Sequence, residues 1–162
     1  MSDHEKLFGL LKGKYVWGVE NGFGTHLSME FGEARLNIRE PQVQNAETKS
    51  RAAERLQRRV VRPIGFYRLL LLDDAWVLGD NDAEVSAQSN GLDIANAISR
   101  LSGQIVETIS FHNDGPLTLN FDLGSRLIVN RTVEPTEEGF IFTAGDIVFS
   151  PTGTKFALNW EI

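Results

Sequence analysis

The sequence predicts an α+β fold, mostly antiparallel β, built from two helix-plus-β-meander units related as a pseudo-two-fold internal repeat. Three observations carry that expectation. Apolar and polar residues alternate in several short runs, the pattern of strands with one face buried. Two short stretches of helical spacing each stop at a glycine. An offset of 90 residues lays the first half on the second: Leu11, Gly13, Val16, Leu27 and Phe31 fall on Leu101, Gly103, Val106, Leu117 and Phe121. One extra residue then brings Arg35 and Leu36 onto Arg126 and Leu127. A fixed-period self-similarity of this kind is the sequence mark of duplication.

The elements follow in order. A helix is expected over 3–12, with Ser2 or Asp3 as N-cap and Leu7, Leu10 and Leu11 on one face. Gly13 ends it, since glycine best tolerates the left-handed C′ position. A strand leads to a turn at Asn21-Gly22-Phe23-Gly24, and Leu27, Met29 and Phe31 then alternate with Ser28 and Glu30. Gly32-Glu33-Ala34 reads as a turn into Leu36 and Ile38. A polar insertion over 40–59 holds a short helix at 47–56, and strands are expected at 59–62, 66–72 and 75–78. The acidic segment 79–90 reads as a linker between halves of about 3–78 and 91–162, within one domain spanning 1–162.

The second half opens with a helix over 91–102, with Ala95, Ile98 and Leu101 on its apolar face, ended by Gly103. A strand, a turn at Asn113-Asp114-Gly115-Pro116, and a second strand with Leu117, Leu119 and Phe121 inward come next. Leu123-Gly124-Ser125 turns into Leu127 and Val129, and strands follow at 139–143, 146–149 and 154–162. Strands without long intervening helices disfavour a doubly wound parallel sheet.

The motif Leu27-Ser28-Met29-Glu30-Phe31-Gly32-Glu33-Ala34-Arg35-Leu36-Asn37-Ile38-Arg39-Glu40-Pro41 resembles one of a family of small uncharacterised bacterial proteins. The second half of that family opens with a helix and an L.GQ motif and continues to FDLG..L. Here those are Leu101-Ser102-Gly103-Gln104 and Phe121-Asp122-Leu123-Gly124-Ser125-Arg126-Leu127. The resemblance implies a bacterial origin and brings no activity and no catalytic residue with it.

Composition excludes several kinds of chemistry. The chain has no cysteine, so disulfides, thiolate nucleophiles and cysteine-ligated metals are ruled out. There is no GxSxG elbow and no P-loop, and Gly22-Phe23-Gly24 lacks a third glycine. No catalytic residue, cofactor or metal is expected. His4, His26 and His112 read as terminal or turn residues. A net charge of −6 argues against nucleic acid and anionic membrane as partners. The polar start Met1-Ser2-Asp3-His4-Glu5-Lys6, followed by only a short apolar patch, reads as no secretory signal, so a cytoplasmic protein is expected.

That charge is unevenly distributed. Lys49, Arg51, Arg55, Arg58, Arg59 and Arg62 stand against Glu54 alone, a net of +5, which leaves −11 for the rest of the chain. Arg55, Arg58, Arg59 and Arg62 are therefore candidates for bidentate binding of phosphate or carboxylate. Asp80-Asn81-Asp82-Ala83-Glu84 begins like a calcium loop, but Val85 stands where its glycine belongs and Gly91 where its closing Glu belongs. Asp73, Asp74, Asp80, Asp82 and Glu84 instead read as an acidic docking face, with Trp17 as an exposed aromatic contact. The leading expectation is a non-catalytic bacterial interaction protein, of the immunity type that blocks a toxin. The alternative is a small-molecule or anion-binding domain, with or without enzymatic activity, using a cleft between the halves. An edge strand left by two meanders could pair in a homodimer.

Overall fold

The computed structural model describes residues 3–22, 25–42, 50–72, 75–111, 115–130, 139–150 and 156–157, without the side chains of Asp3, His4, Ala52, Phe156 and Ala157. The chain order is α1 (Asp3–Gly9), β1 (Val16–Asn21), β2 (Leu27–Arg39), α2 (Arg51–Leu56), β3 (Val60–Leu71), β4 (Trp76–Gly79), β5 (Glu84–Ser86), α3 (Gly91–Leu101), β6 (Val106–Phe111), β7 (Leu117–Phe121), β8 (Arg126–Val129), β9 (Phe140–Ala144), β10 (Ile147–Phe149) and β11 (Phe156–Ala157). All strand pairings are antiparallel, in two sheets ordered β1-β2-β3-β9-β10-β11 and β5-β4-β8-β7-β6. The α+β, mostly antiparallel expectation holds.

Each sheet takes strands from both halves of the chain. The chain leaves the first sheet after β3 to place β4 beside β8 in the second, and returns after β8 to place β9 beside β3. One cluster of buried residues serves both sheets. Leu27, Met29, Phe31, Leu69 and Phe142 come from the first, and Trp76, Leu78, Leu119, Leu127 and Val129 from the second. The Trp76 indole N–H donates to the Thr25 carbonyl at 2.7 Å, so even the largest core side chain has its polar atom satisfied.

The helices seal this core. Phe8 of α1 is fully buried, with ring centroids 4.9–5.5 Å from Phe111, Phe140 and Phe142. α1 ends at Gly9, short of the expected 12; the buried residues are Phe8 of the helix and Leu11 of the turn after it, while Leu10, expected inside, is exposed. In α3 the buried residues are Ile94, Ala97 and Leu101, one step round from the expected Ala95 face. Asn90 caps α3 by accepting from the Asp93 N–H at 2.9 Å.

Gly13 and Gly103 both have positive φ, +78° and +90°. The segments they open pair with each other around a Tyr15–Ile105 bridge. Gly13 N–H donates to Val106 O at 2.8 Å, and Gly103 N–H donates to Val16 O at 2.7 Å. Val16 N–H donates to Gln104 O at 2.9 Å, and Val106 N–H to Lys14 O at 3.0 Å. This reciprocal set ties the first strand of one sheet to the first strand of the other.

Three expected breaks take another form. Gly32-Glu33-Ala34 is no turn: β2 runs straight through it with a bulge between Phe31 and Ala34. The strands expected at 59–62 and 66–72 are one strand, β3. Pro63 lies inside it opposite Leu36, a position where it withholds one donor from the pairing, and β9 accompanies β3 only over Tyr67–Leu71. The expected linker 79–90 contains β5, paired to β4 with Val85 buried, because that valine completes the core edge. The helix expected at 47–56 is described over Arg51–Leu56, where the Ser50 hydroxyl accepts from the Ala53 N–H at 3.1 Å. Of the last expected strand, 154–162, only 156–157 falls within the described residues.

The bulge leaves no room for a side chain at Gly65. A Cβ there would lie 2.8 Å from the Tyr67 carbonyl oxygen and 3.0 Å from the Phe31 nitrogen. Gly65→Ala is expected to destabilise the protein by about 1–3 kcal/mol, since rigid backbone must move. Urea unfolding checks this: the midpoint should fall with an unchanged m-value.

Candidate functional site

Beyond the body of the first sheet, β2 and β3 continue as a two-stranded arm, residues 34–39 paired with 60–65. β1 pairs with β2 only as far as Phe31, and β9 with β3 only as far as Tyr67. Six residue pairs at roughly 3.3 Å each carry the arm about 20 Å outward.

The bulge decides what each side of the arm shows. Below it, Leu27, Met29 and Phe31 lie opposite Leu71, Leu69 and Tyr67. Above it, Ala34, Leu36 and Ile38 lie opposite Gly65, Pro63 and Val61. Directly opposed residues share a face, so the inward apolar face of the body continues along one side of the arm. Among the described residues it has no cover there: Leu36 is 68% exposed, Ile38 52% and Val61 53%. The reverse side pairs Arg35 with Ile64, Asn37 with Arg62 and Arg39 with Val60. The Arg35 guanidinium lies 5.8 Å from the Phe66 ring centroid.

Four contacts fix the bulge. Gly32 has φ +73°, and its N–H donates to Tyr15 O at 2.9 Å. Its carbonyl accepts from the Trp17 indole N–H at 2.8 Å. The buried Glu30 carboxylate accepts from Gly65 N–H (2.9 Å) and from Arg68 Nε (2.8 Å). Trp17 is accordingly half-buried against Gly32 rather than exposed.

At the tip, α2 turns its arginines outward. Arg51, Glu54, Arg55 and Arg58 line an open depression of about 220 Å³. It sits on the arm rather than between the halves. Arg59 is occupied: it forks onto Glu40 at 2.8–3.1 Å, and that contact raises its pKa further above its ordinary value. Arg62 lies on the basic side of the arm. Arg39 Nη2 donates to Arg55 O at 3.2 Å, tying helix to strand. The structure thus brings Arg55 and Arg58 together and separates them from Arg59 and Arg62.

The acidic candidates divide differently. Asp73 and Asp74 lie outside the described residues. Asp80 serves its own hairpin: Oδ1 accepts from Asp82 N–H and Ala83 N–H at 2.9 Å each, and Oδ2 meets Arg100 Nε at 2.7 Å. These backbone hydrogen bonds, with a smaller part from Arg100, lower its pKa. Asp82 and Glu84 are exposed on the same hairpin. His112 and the side chain of His4 also fall outside the described residues. Among the described residues, no group of three or more His, Asp or Glu could hold a metal, and no helix is long and apolar enough to cross a membrane.

The two sequence motifs acquire physical roles. FGE through IREP spans the bulge and the arm up to Glu40, the partner of Arg59. L.GQ and FDLG form a lock. Gln104 Nε2 donates to Ser125 Oγ at 2.8 Å, and Asp122 Oδ1 accepts from Ile105 N–H at 2.8 Å.

Fold and site together define a two-sheet α+β protein with a protruding arm, apolar on one side and basic on the other and at its tip. No family model matches the chain, and no curated protein or solved structure matches it.

A lowered carboxylate pKa contributes stability above the unfolded-state value and loses it as pH falls through the folded-state value. Asp80→Asn keeps an oxygen for the turn but not the charge. The wild type should therefore be the more stable at neutral pH, and the difference should shrink as pH falls through the acid range below about 4. Thermal melts of the two proteins between neutral and acid pH check this.

Proposed function

We propose that this protein is a non-catalytic bacterial protein-interaction domain whose contact element is the arm, consistent with an immunity-type protein that neutralises a toxin by binding it. The observation that carries the reading is the exposed apolar face of Leu36, Ile38, Val61 and Pro63 on a projecting ribbon. Exposed contiguous apolar surface rimmed by charge is the usual mark of a contact site. The ribbon is held at its root by the bulge and at its tip by Arg59–Glu40, so little order has to be gained on binding. The −11 remainder of the chain adds attraction for a basic target and speeds encounter. The same reading keeps the protein as one cytoplasmic domain, in line with its cysteine-free composition and shared core.

It also takes the two halves as a duplication. The reciprocal pairing of 13–16 with 103–106 supports this, because each hydrogen bond has its counterpart at the same offset of 90. So does the matched order β1-β2-β3 and β6-β7-β8 at one side of each sheet.

Tagged protein in a lysate of the source organism is expected to retain one stoichiometric protein other than itself. High salt should weaken retention, and Leu36→Asp with Ile38→Asp should abolish it. Retention of no such protein, or equal retention by the double variant, overturns the reading.

A second reading, anion binding, is favoured by the depression that groups Arg51, Arg55 and Arg58. Phosphorylated or carboxylated metabolites would be held by forked guanidinium hydrogen bonds. A thermal-shift screen should then give a hit that disappears in Arg55→Ala with Arg58→Ala; a flat screen removes this reading.

A further inference from the structure

We propose that the apolar face of the arm seats a second copy of this chain, over the acidic end of its second sheet, so that two copies close a reciprocal dimer. The inference rests on the reading of the arm as contact element and names its occupant in the free protein, a copy that a target would displace.

Charge selects this arrangement. Residues 49–62 carry +5 and the rest of the chain −11. Packing arm on arm would bring two positive segments together. Packing each arm on the other copy's body sets positive against negative, and both contacts form at once. A contact between two different patches closes without growing into a filament only when it is reciprocal, as a two-fold axis makes it.

The body offers a matching surface. Leu123 is 75% exposed in the turn between β7 and β8, directly after the exposed Asp122. The β4–β5 hairpin lies against that turn: a Cβ on Gly124 would stand 3.0 Å from the Asn81 side-chain nitrogen. That hairpin carries the exposed Asp82 and Glu84. Of the nearby cations, Arg100 is held by Asp80 at 2.7 Å, and Arg126 is exposed on β8. An apolar residue flanked by carboxylates complements a ribbon with Leu36, Ile38 and Val61 on one side and arginines on the other and at the tip. The arm's reach of about 20 Å lets it cross to a neighbouring body.

The test is sedimentation velocity on the purified full chain, with far-UV spectra and melts confirming that each variant folds. The wild type should be dimeric at about 100 μM in about 50 mM salt, with dissociation strengthened at least tenfold in about 500 mM salt as the charges are screened. Leu36→Asp with Ile38→Asp should be monomeric. So should Asp82→Lys with Glu84→Lys, which leaves the arm intact. A monomeric wild type overturns the inference, and so does a dimer that survives either pair of substitutions. If the wild type is monomeric while the lysate experiment still yields another protein lost with Leu36 and Ile38, the arm remains the contact element with a different occupant. If neither a dimer nor a partner is found, both readings fail.

Discussion

The bulge between Phe31 and Ala34 is the constraint on which the rest of the molecule's outward shape depends. Side chains along a strand alternate between faces, so an unbroken β2 would place Leu36 and Ile38 on the side opposite Leu27, Met29 and Phe31. The irregularity restores them to the inward side. It costs a residue in the left-handed region, which Gly32 supplies at φ +73°. It also breaks the β2–β3 ladder, and the Glu30 carboxylate takes up the Gly65 N–H. A buried carboxylate is tolerable only when paired and hydrogen-bonded, and Arg68 completes that requirement. The charged pair therefore sits at the root of the arm, where the backbone needs it.

Exchange of strands between the sheets explains why the body beneath the arm can hold it steady. β3 pairs with β2 on one side and β9 on the other, and β9 arrives only after the chain has built most of the second sheet. Phe8 then stacks on β6 and β9 residues together. Movement of the arm's root would disturb a core shared by both sheets, whereas a hinge between separate domains could flex freely.

The legible parts of the sequence were those governed by local rules. Gly103 marks the end of α3 because positive φ there selects glycine, whereas α1 stops at Gly9 and a turn carries the chain on to Gly13; the alternation of Leu117, Leu119 and Phe121 marks a strand directly. Gly32-Glu33-Ala34 and Leu123-Gly124-Ser125 look alike as tripeptides, yet one is a bulge and the other a turn. What separates them is the partner strand: β3 is long enough to follow β2 past Gly32, while β7 and β8 pair with each other across Gly124. That information is non-local. The parity switch from Leu27, Met29 and Phe31 to Leu36 and Ile38 was the available signal for the bulge. Trp17 is half-buried rather than exposed for a related reason, since its indole N–H donates to a carbonyl 15 residues away. The arginine cluster was visible as composition, but the pairing of Arg59 with Glu40 and the placing of Arg62 on a strand were not.

An apolar ribbon held in solvent invites indiscriminate pairing, and this one carries the features that restrict it. Arg35, Arg39 and Arg62 make two arms repel, which suppresses arm-to-arm association while leaving acidic surfaces attractive. If the arm is the contact element, Leu36 and Ile38 would supply the gain on burial and the arginines would decide where that gain is realised. On the proposed contact role, the +5 segment within a −11 background is a rule about permitted contacts.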